Sequence, residues 1–334
     1  MGLRIGVVFN LKRNAVADPP DAEAEFDDIE TISAIKNALE LSGYDVALYE
    51  ADAALPLKLA NEKPDAVFNI AEGSSGRGRE AQVPAILNFL NIPFTGSDET
   101  TMCVAMDKAL TKQLLSLYDI VTPKFKLISP AEQQAAGLSG AFPDAEGLCY
   151  PLIVKPNAEG SGKGISDISI ADDHDALRRA VMQAGAYNQP VLVEEYISGR
   201  EFTVGILGDG DRERVFEPME IIFRDPRDGI YSYDVKRRFK DYVDYRCPPD
   251  ISADARDAMI STASKIYGIL SCRDMGRIDF RMSDDGRLYF IEINPLPGLA
   301  PGYSDYPMLA EFCGVGYDSL IQGVMESALT RRRG

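Results

Sequence analysis

A short segment near the C-terminal end, residues 276–299, constrains the fold of this chain more than any other stretch. Apolar and polar residues alternate on both sides of an Asp-Gly pair at positions 285–286, which is the pattern of two half-buried strands. An Asp-Gly pair between such strands is a hairpin signal. The sequence therefore predicts an antiparallel hairpin with Asp279 on its first strand and Glu292 and Asn294 on its second.

Three oxygen-bearing side chains on this hairpin predict a metal site. Glu292 and Asn294 are two residues apart, so they share one face of a strand, and Asp279 comes from the neighbouring strand. Two carboxylates this close repel each other unless a cation lies between them. Hard oxygen ligands suit Mg²⁺, which usually binds one or two carboxylates together with substrate phosphates. The alternative is an exposed acidic hairpin, which the alternation with apolar residues disfavours.

The overall charge and composition exclude several classes of protein. The 334 residues allow more than one domain, and a net charge of −17 without a basic stripe argues against a nucleic-acid partner. No stretch has the length of a membrane span, and no signal peptide is recognisable. The five cysteines lack metal-like spacing and suggest reduced thiols. We therefore expect a cytoplasmic protein without a membrane partner.

The first third of the chain alternates between strand and helix patterns. Residues 3–10, 45–49 and 65–69 read as buried strands, and residues 28–42 as a helix, which together predict a parallel sheet. The glycine-rich loop at 71–80 follows the third strand and precedes a helix, so it is a candidate anion site. Arg77 and Arg79 in this loop could bind a carboxylate or phosphate. A flexible surface loop is the alternative.

Two later segments carry further signals. Residues 150–156 predict a strand that ends near Lys155, and a glycine-rich loop at 157–164 follows, whose backbone can approach phosphates closely. The long polar and aromatic segment 225–249 predicts a lid. The single histidine, His174, has acidic neighbours and reads as a surface residue at a helix start. We therefore do not expect histidine-dependent catalysis.

These motifs together resemble the ATP-grasp ligases and, more narrowly, the D-alanine–D-alanine ligase family. The resemblance rests on Arg-Ile-Asp at 277–279, Glu-Ile-Asn-Pro-x-Pro-Gly at 292–298, Lys-Pro with the loop at 155–164, and the segments 92–97 and 105–112. It covers nearly the whole chain. It implies an α/β protein with the ATP-grasp fold, in which residues 1–95 form a preATP-grasp domain. Residues 96–190 would form the central lobe, and residues 191–334 a C-terminal lobe with the lid and metal site.

The resemblance implies an ATP-dependent carboxylate–amine ligase that forms a peptide or amide bond through an acyl phosphate. Its cofactors would be ATP and two Mg²⁺ ions, with Mn²⁺ as a substitute, its substrates amino-acid-like small molecules, and its assembly a homodimer. Glu194 would accept from the adenine amino group and Glu201 would bind the ribose hydroxyls. The implied site residues are, for metal, Asp279, Glu292 and Asn294; for nucleotide, Lys108, Lys155, Glu194, Ile197, Glu201, Gly160 and Gly162; and for catalysis, Arg277, Gly298, Ser161 and Lys236.

The chain departs from the family pattern in the predicted amino-acid pocket. The family usually has a His-Gly pair where this chain has Glu72 and Gly73, and residues 9–13 lack the family glutamate that holds the first substrate's amine. Arg237 follows Lys236 where a tyrosine is common. We therefore expect Glu72, Arg77 and Arg79 to form an altered pocket, whose guanidinium groups would favour a substrate with a second carboxylate or one without the simple shape of D-alanine. The alternative is that Arg77 and Arg79 pair with Glu72 and Glu80 and contact no substrate.

Two alternatives to D-alanyl-D-alanine synthesis remain open at this stage. The first is a related ligase that forms a natural-product amide bond or closes a ring, which the altered pocket favours. The second is a nucleotide-binding regulatory protein without turnover. The complete set of acidic ligands and the three lysines Lys108, Lys155 and Lys236 argue against the second.

Overall fold

The computed structural model describes residues 2–13, 23–139, 145, 147–160, 162–164, 169–225 and 238–331, with the backbone alone at 135–139. The predictions for Ser161, Lys236 and Arg237 lie outside these residues, as does the central part of the predicted lid. In the described part of the chain, none of the helices is long and apolar enough to cross a bilayer.

The N-terminal sheet is parallel, as the sequence predicts, with the strand order β2-β1-β3. Helix α1 connects β1 to β2 and ends at Leu41, and the chain then turns at Gly43, whose φ of +82° is accessible to glycine at little cost. The elements are β1 (Arg4–Phe9), α1 (Ile29–Leu41), β2 (Asp45–Glu50), α2 (Leu55–Glu62), β3 (Ala66–Asn69) and α3 (Gln82–Phe89). The carboxyl ends of β1 and β3 lead into the segments that line the large cavity described below.

The central sheet is antiparallel, with the order β4-β7-β5-β6. Its strands are β4 (Phe125–Ile128), β5 (Leu152–Pro156), β6 (Ile170–Ala171) and β7 (Val191–Glu195), and its helices α4 (Glu99–Met106), α5 (Lys108–Ser116), α6 (Pro130–Ser139) and α7 (His174–Ala184). The predicted lobe boundary at 190/191 is wrong, because β7 pairs with β4 and β5 and so belongs to this sheet. His174 begins α7, as expected from its sequence context.

The C-terminal sheet is antiparallel and six-stranded, with the order β11-β10-β8-β12-β13 and β9 beside β8. Its elements are β8 (Arg200–Leu207), β9 (Arg214–Val215), β10 (Met219–Phe223), α8 (Phe239–Tyr242), β11 (Val243–Arg246), α9 (Ala253–Ile269), β12 (Met275–Met282), β13 (Leu288–Asn294), α10 (Asp305–Phe312) and α11 (Tyr317–Arg331). The predicted hairpin is β12–β13. Its register places Asp279 opposite Glu292, and a β-bulge follows this pair.

Two of the apolar cores position the N-terminal sheet and the C-terminal sheet relative to the site. Helix α9 packs behind the C-terminal sheet through residues such as Met259 and Ile266, which meet Phe280 and Phe290. The last helix, α11, lies instead in the same core as α1, so the C-terminal end of the chain packs against the N-terminal sheet. This packing fixes the N-terminal sheet relative to the hairpin and thereby positions the cavity between them.

Candidate active site

The β12–β13 hairpin brings the three predicted metal ligands together. Asp279 and Glu292 face each other across the two strands, and Asn294 Nδ2 donates a hydrogen bond to Asp279 Oδ2 at 3.3 Å. This contact leaves the amide oxygen of Asn294 available as a ligand. The Asp279 and Glu292 side chains are 16% and 23% exposed, so both can be reached from a neighbouring cavity. A set made only of oxygen donors fits Mg²⁺.

Arg277 is tied to this ligand set and to the helix that follows it. Its Nε lies 3.0 Å from Asp279 Oδ1, its Nη2 2.8 Å from Asp279 Oδ2, and its Nη1 3.5 Å from Asp305 Oδ2. Burial lowers the pKa of Arg277, but the two carboxylates more than reverse this effect, so its pKa is raised and the guanidinium stays charged. Arg277 and Gly298 line the same cavity. Their role as an oxyanion site stays a prediction.

A buried triad of Lys112, Glu194 and Lys155 lies behind the hairpin. Lys112 Nζ is 2.9 Å from Glu194 Oε1 and Lys155 Nζ is 2.7 Å from Glu194 Oε2, with all three side chains at most 5% exposed. Burial raises the pKa of Glu194, but the two lysines outweigh burial and lower it. Burial also lowers the pKa of Lys112 to about 8. No separate role for Lys112 was predicted from the sequence, although it follows Lys108 by one helical turn.

The predicted adenosine residues line a small cleft of about 90 Å³. Glu201 and the Ile197 carbonyl both accept hydrogen bonds from Arg281, at 2.8 Å each, so Arg281 orders this edge although the sequence alone did not indicate it. Glu194 Oε1 contacts Lys112 but has no hydrogen-bond partner of good geometry among the described residues. It therefore keeps capacity to accept from an amino group. The adenine and ribose roles of these residues stay predictions.

The glycine-rich loop after β5 approaches the hairpin through Lys108. Lys108 Nζ donates to the Glu159 carbonyl at 2.5 Å and lies 3.5 Å from Glu292 Oε2. Gly162 has a φ of +73°, which suits glycine, and the Gly160 N–H donates to Glu25 Oε1 at 2.8 Å. Lys108 and Gly160 thus line the large cavity together with Glu292. The phosphate-binding role of this loop stays a prediction.

Arg79 serves the protein's own carboxylates rather than an open pocket. Its Nη2 lies 2.6 and 2.8 Å from the two oxygens of Glu25 and 3.3 Å from Glu159, while Nη1 donates to the Ala158 carbonyl at 2.9 Å. Lys163 also contacts Glu25 and Glu159, at 3.3 and 2.6 Å. The guanidinium of Arg79 is therefore occupied by groups of the protein, whereas the sequence led us to expect that it binds a substrate carboxylate. Arg79 instead connects the N-terminal domain to the glycine-rich loop.

Glu25 supplies a glutamate near the end of β1, where the sequence was expected to lack one. Hydrogen bonds from Lys12 N to Asp27 O and from Asp27 N to Asn10 O, at 2.9 and 3.0 Å, fold the chain back onto the end of β1. This return places Glu25 in the wall of the large cavity, where its side chain is 5% exposed. A glutamate more distant in sequence thus lies near the end of β1 and lines the large cavity.

A cavity of about 590 Å³ lies where the N-terminal sheet, the glycine-rich loop and the hairpin meet. Its lining includes Lys108, Arg277, Glu292, Asn294 and Gly298, and also Lys12 and four carboxylates: Glu25, Asp27, Glu72 and Glu80. The Arg77 side chain is 71% exposed and lies 3.7 Å from Asp107. The pocket wall is therefore acidic, whereas added guanidinium groups were expected from the sequence.

Replacing one of these carboxylates should change how stability depends on pH. Burial, followed by the charge of Glu25, raises the pKa of Glu80 to about 7 from an ordinary 4.5. The folded state then holds a proton that the unfolded state loses, so the free energy of unfolding falls as pH rises between these two values. We expect Glu80→Gln to remove this loss and to stabilise the ligand-free protein by about 1–3 kcal/mol near pH 8, with little change near pH 4.

Denaturant unfolding at both pH values measures this difference. Glu311→Gln, at an exposed carboxylate on α10, is the control and should leave the pH dependence unchanged. A Glu80→Gln variant that is no more stable than the wild type near pH 8 would show that ionisation of Glu80 does not destabilise the folded protein.

Comparison with known proteins supports the resemblance on which the predicted site residues depend. A family model described as "D-ala D-ala ligase C-terminus" matches residues 114–326, which is more than half of the chain. The chain belongs to the D-alanine–D-alanine ligase family. It is 31% identical over 304 residues to the D-alanine–D-alanine ligase of Syntrophotalea carbinolica, covering 91% of this chain and 92% of that protein. It is 32% identical over 293 residues to that of Aquifex aeolicus, covering 88% and 92%.

Solved structures confirm the fold. The D-alanine–D-alanine ligase from Bacillus anthracis complexed with ATP superposes with a TM-score of 0.76 at 22% identity, over 99% of both chains. The VanG D-Ala:D-Ser ligase from Enterococcus faecalis gives the same TM-score and identity over 98% of this chain and 100% of that one. Membership of the D-alanine–D-alanine ligase family confirms the predicted class, an ATP-dependent ligase that forms carbon–nitrogen bonds between small amino-acid substrates. It argues against a regulatory protein without turnover.

Proposed function

We propose that this chain uses ATP and Mg²⁺ to phosphorylate the carboxylate of one amino-acid-like substrate and then joins it to the amine of a second. The observation that carries this proposal is the position of Glu292, which lines both the nucleotide cleft and the large cavity. Lys108 and Arg277 border the large cavity beside it. A γ-phosphate reaching past Glu292 would therefore meet a carboxylate held in the large cavity.

The residues of the hairpin would hold the metal. Asp279, Glu292 and the amide oxygen of Asn294 offer hard oxygen ligands on one sheet face, enough for the two Mg²⁺ ions that the family resemblance implies, or for Mn²⁺. When bound, these ions would neutralise charge on the terminal phosphates. Arg277 and Thr203 hold the Asp279 carboxylate in place, since Thr203 Oγ1 donates to Asp279 Oδ1 at 2.7 Å.

The protein's own groups account for the remaining steps. An oxygen of the first substrate's carboxylate attacks the γ-phosphorus in line, which releases ADP and leaves an acyl phosphate. Lys108 and Lys155 would place positive charge beside the phosphates of ATP. The amine of the second substrate then attacks the acyl carbon, and phosphate leaves with one of the original carboxylate oxygens. Arg277 and the Gly298 N–H would stabilise the oxyanion, and Ser161 and Lys236 stay predicted members of the catalytic set.

The proposal extends to the identity of the two substrates. Relatives named D-alanine–D-alanine ligase and D-Ala:D-Ser ligase suggest D-amino acids. The acidic wall formed by Glu72 and Glu80, where the family usually has a histidine at the first position, favours substrates other than D-alanine. We also propose a cytoplasmic location, which the five free cysteines support, and a homodimer, which the exposed Leu57 and Phe89 of the N-terminal domain support.

Amino-acid-dependent ADP release tests the ligase function. The full chain with MgATP should release little ADP alone and much more with at least one member of a panel of D- and L-amino acids. Mass spectrometry should then find a product equal to two substrates minus one water. ADP release that no amino acid stimulates, together with no condensation product, would contradict the proposal.

Glu201→Gln should weaken nucleotide binding more than it slows the reaction. The ribose contact is the same in the ground state and the transition state, so we expect KM for ATP to rise about 10-fold with kcat within about 2-fold. Because Arg281 holds Glu201 at 2.8 Å, Arg281→Lys should give a similar result. A fall in kcat at saturating ATP, with KM unchanged, would assign Glu201 to the chemical step instead.

A further inference from the structure

Two cysteines lie side by side on elements that are distant in sequence. Cys247 directly follows β11 and Cys313 directly follows α10, so their positions differ by 66. Their Sγ atoms are 4.0 Å apart and share a weak hydrogen bond. Both side chains are half-buried and pack against the same apolar core. The fold thus brings together two thiols that no spacing in the sequence pairs.

The two thiols differ in acidity. The hydrogen bond from Cys247 outweighs the effect of burial, so the pKa of Cys313 lies below its ordinary value. Arg214, whose Nη2 donates to the Cys313 carbonyl at 3.0 Å, also lowers this pKa, whereas the charge of Glu217 raises it. Glu217 is itself paired with Arg256, whose Nε is 2.6 Å from Glu217 Oε2. The same hydrogen bond, followed by burial, raises the pKa of Cys247. Cys313 is therefore the nucleophile of the pair, because a thiolate rather than a thiol attacks an oxidant.

We propose that Cys247 and Cys313 form a redox-modification site, in which a peroxide converts the two thiols into a reversible disulfide that links the end of β11 to the end of α10. The sulfur atoms are nearly in van der Waals contact, so the bond needs only a short approach of two half-buried side chains. In a reducing compartment such a bond forms transiently, in response to an oxidant.

The oxidation is balanced with peroxide as the only co-reactant. The Cys313 thiolate attacks one peroxide oxygen, the O–O bond breaks, and hydroxide leaves and takes up the proton that Cys313 has released. The Cys247 sulfur then attacks the sulfur of the resulting sulfenic acid. The S–O bond breaks, the S–S bond forms, and water leaves with the Cys247 proton. The two thiols together lose two electrons to hydrogen peroxide, which becomes two molecules of water. Dithiothreitol reverses the bond by thiol–disulfide exchange.

The site lies on the two elements whose contact supports Arg277. Tyr245 on β11 donates a hydrogen bond to Asp305 Oδ1 on α10 at 3.2 Å, and Asp305 Oδ2 lies 3.5 Å from Arg277 Nη1. A disulfide between the ends of the same two elements closes a long loop of the chain and lowers the entropy of the unfolded state. We therefore expect the oxidised protein to be more stable than the reduced protein.

Disulfide mapping of the wild-type protein tests the site without any need for turnover. The reduced full chain is treated with a small excess of hydrogen peroxide near neutral pH, free thiols are alkylated, and the peptides are identified by mass spectrometry. Non-reducing electrophoresis separates bonds within a chain from bonds between chains. We expect a Cys247–Cys313 bond within one chain, reversible by dithiothreitol, before the more exposed Cys103 and Cys149 are oxidised. Earlier oxidation of Cys103 or Cys149, or bonds only between chains, would overturn the inference.

Two variants at position 247 distinguish activation of Cys313 from access to it. Serine keeps a hydrogen-bond donor at this position, whereas alanine removes it. We expect alkylation of Cys313 near neutral pH to be slower by about 5-fold or more in Cys247→Ala and to stay within about 2-fold of the wild type in Cys247→Ser. Equal rates in the two variants, or a faster reaction in Cys247→Ala, would contradict the assignment of Cys313 as a nucleophile activated by its neighbour.

Thermal unfolding measures the consequence of the bond. Peroxide treatment should raise the Tm of the wild type by about 5 °C, an increase that dithiothreitol removes. Cys247→Ser cannot form the bond, so the same treatment should leave its Tm unchanged. A Tm that peroxide does not raise in the wild type, or raises equally in Cys247→Ser, would overturn the inference.

Discussion

Glu292→Gln is expected to lower turnover on the order of 10³-fold while the protein remains folded. The substitution keeps the size of the side chain but removes a negative charge from the ligand set with Asp279 and Asn294. Charge stabilisation by a bound metal contributes several kcal/mol to such reactions, and each 1.4 kcal/mol, roughly, corresponds to a tenfold change in rate. Steady-state ADP release at saturating substrates measures the loss.

Thermal unfolding supplies the control for this variant. Because Glu292 is partly exposed and contacts Lys108 at 3.5 Å, its replacement should change the ligand-free Tm little. The increase in Tm that MgATP gives the wild type should be lost, since the increase depends on binding to the folded state. A Glu292→Gln enzyme with near wild-type turnover and an unchanged MgATP shift would show that Glu292 does not bind the metal.

Glu194→Gln is expected to destabilise the protein by about 3–5 kcal/mol, because it leaves two buried ammonium groups without their shared carboxylate. Lys112 and Lys155 approach Glu194 at 2.9 and 2.7 Å, and Glu194 is 1% exposed. Without Glu194, burial should lower the pKa values of both lysines. The folded variant would then bind fewer protons than its unfolded state, so its stability should rise with pH, and the deficit should be smaller near pH 9 than near pH 7.

Glu195→Gln is the matched control for this prediction. Glu195 is the next residue on β7, its side chain is 20% exposed, and its closest lysine nitrogen, on Lys124, is 4.0 Å away. Its substitution should cost about 1 kcal/mol or less. Denaturant unfolding with both variants gives the comparison, and equal losses for Glu194→Gln and Glu195→Gln would contradict the role of Glu194 as the counter-ion of a buried lysine pair.

The elements that the sequence predicts well are those with local signals. The β12–β13 hairpin follows from strict alternation around Asp-Gly, and the register then brings Asp279 opposite Glu292 without further information. The parallel N-terminal sheet follows in the same way from its alternating strand and helix patterns. The boundary between the two lobes was harder to predict, because no local sequence signal shows whether β7 pairs with β5 or with β8.

The parts of the site that sequence patterns do not reveal depend on contacts between distant segments. Glu25 reaches Arg79 and Gly160, which lie 54 and 135 residues away, so its position becomes visible only once the chain folds back at Asp27. In the sequence, Lys112 and Arg281 look like ordinary basic residues. Only the structure shows that they are buried and form ion pairs with Glu194 and Glu201. Arg79 was assigned to a substrate because its partners in the fold have no signal in the sequence. In each case the missing information was the identity of the counter-charge.

Transfer of oxygen from substrate to phosphate tests the central claim most directly. Amino acids labelled with ¹⁸O in the carboxylate, including D-alanine and the other members of the panel of D- and L-amino acids, are incubated with the enzyme and MgATP. The phosphate released is then analysed by mass spectrometry. An acyl phosphate that is attacked by an amine leaves one labelled oxygen in each phosphate, and we expect this result with every amino acid that stimulates ADP release. Phosphate without the label would show that water attacks ATP directly and would contradict the ligase mechanism.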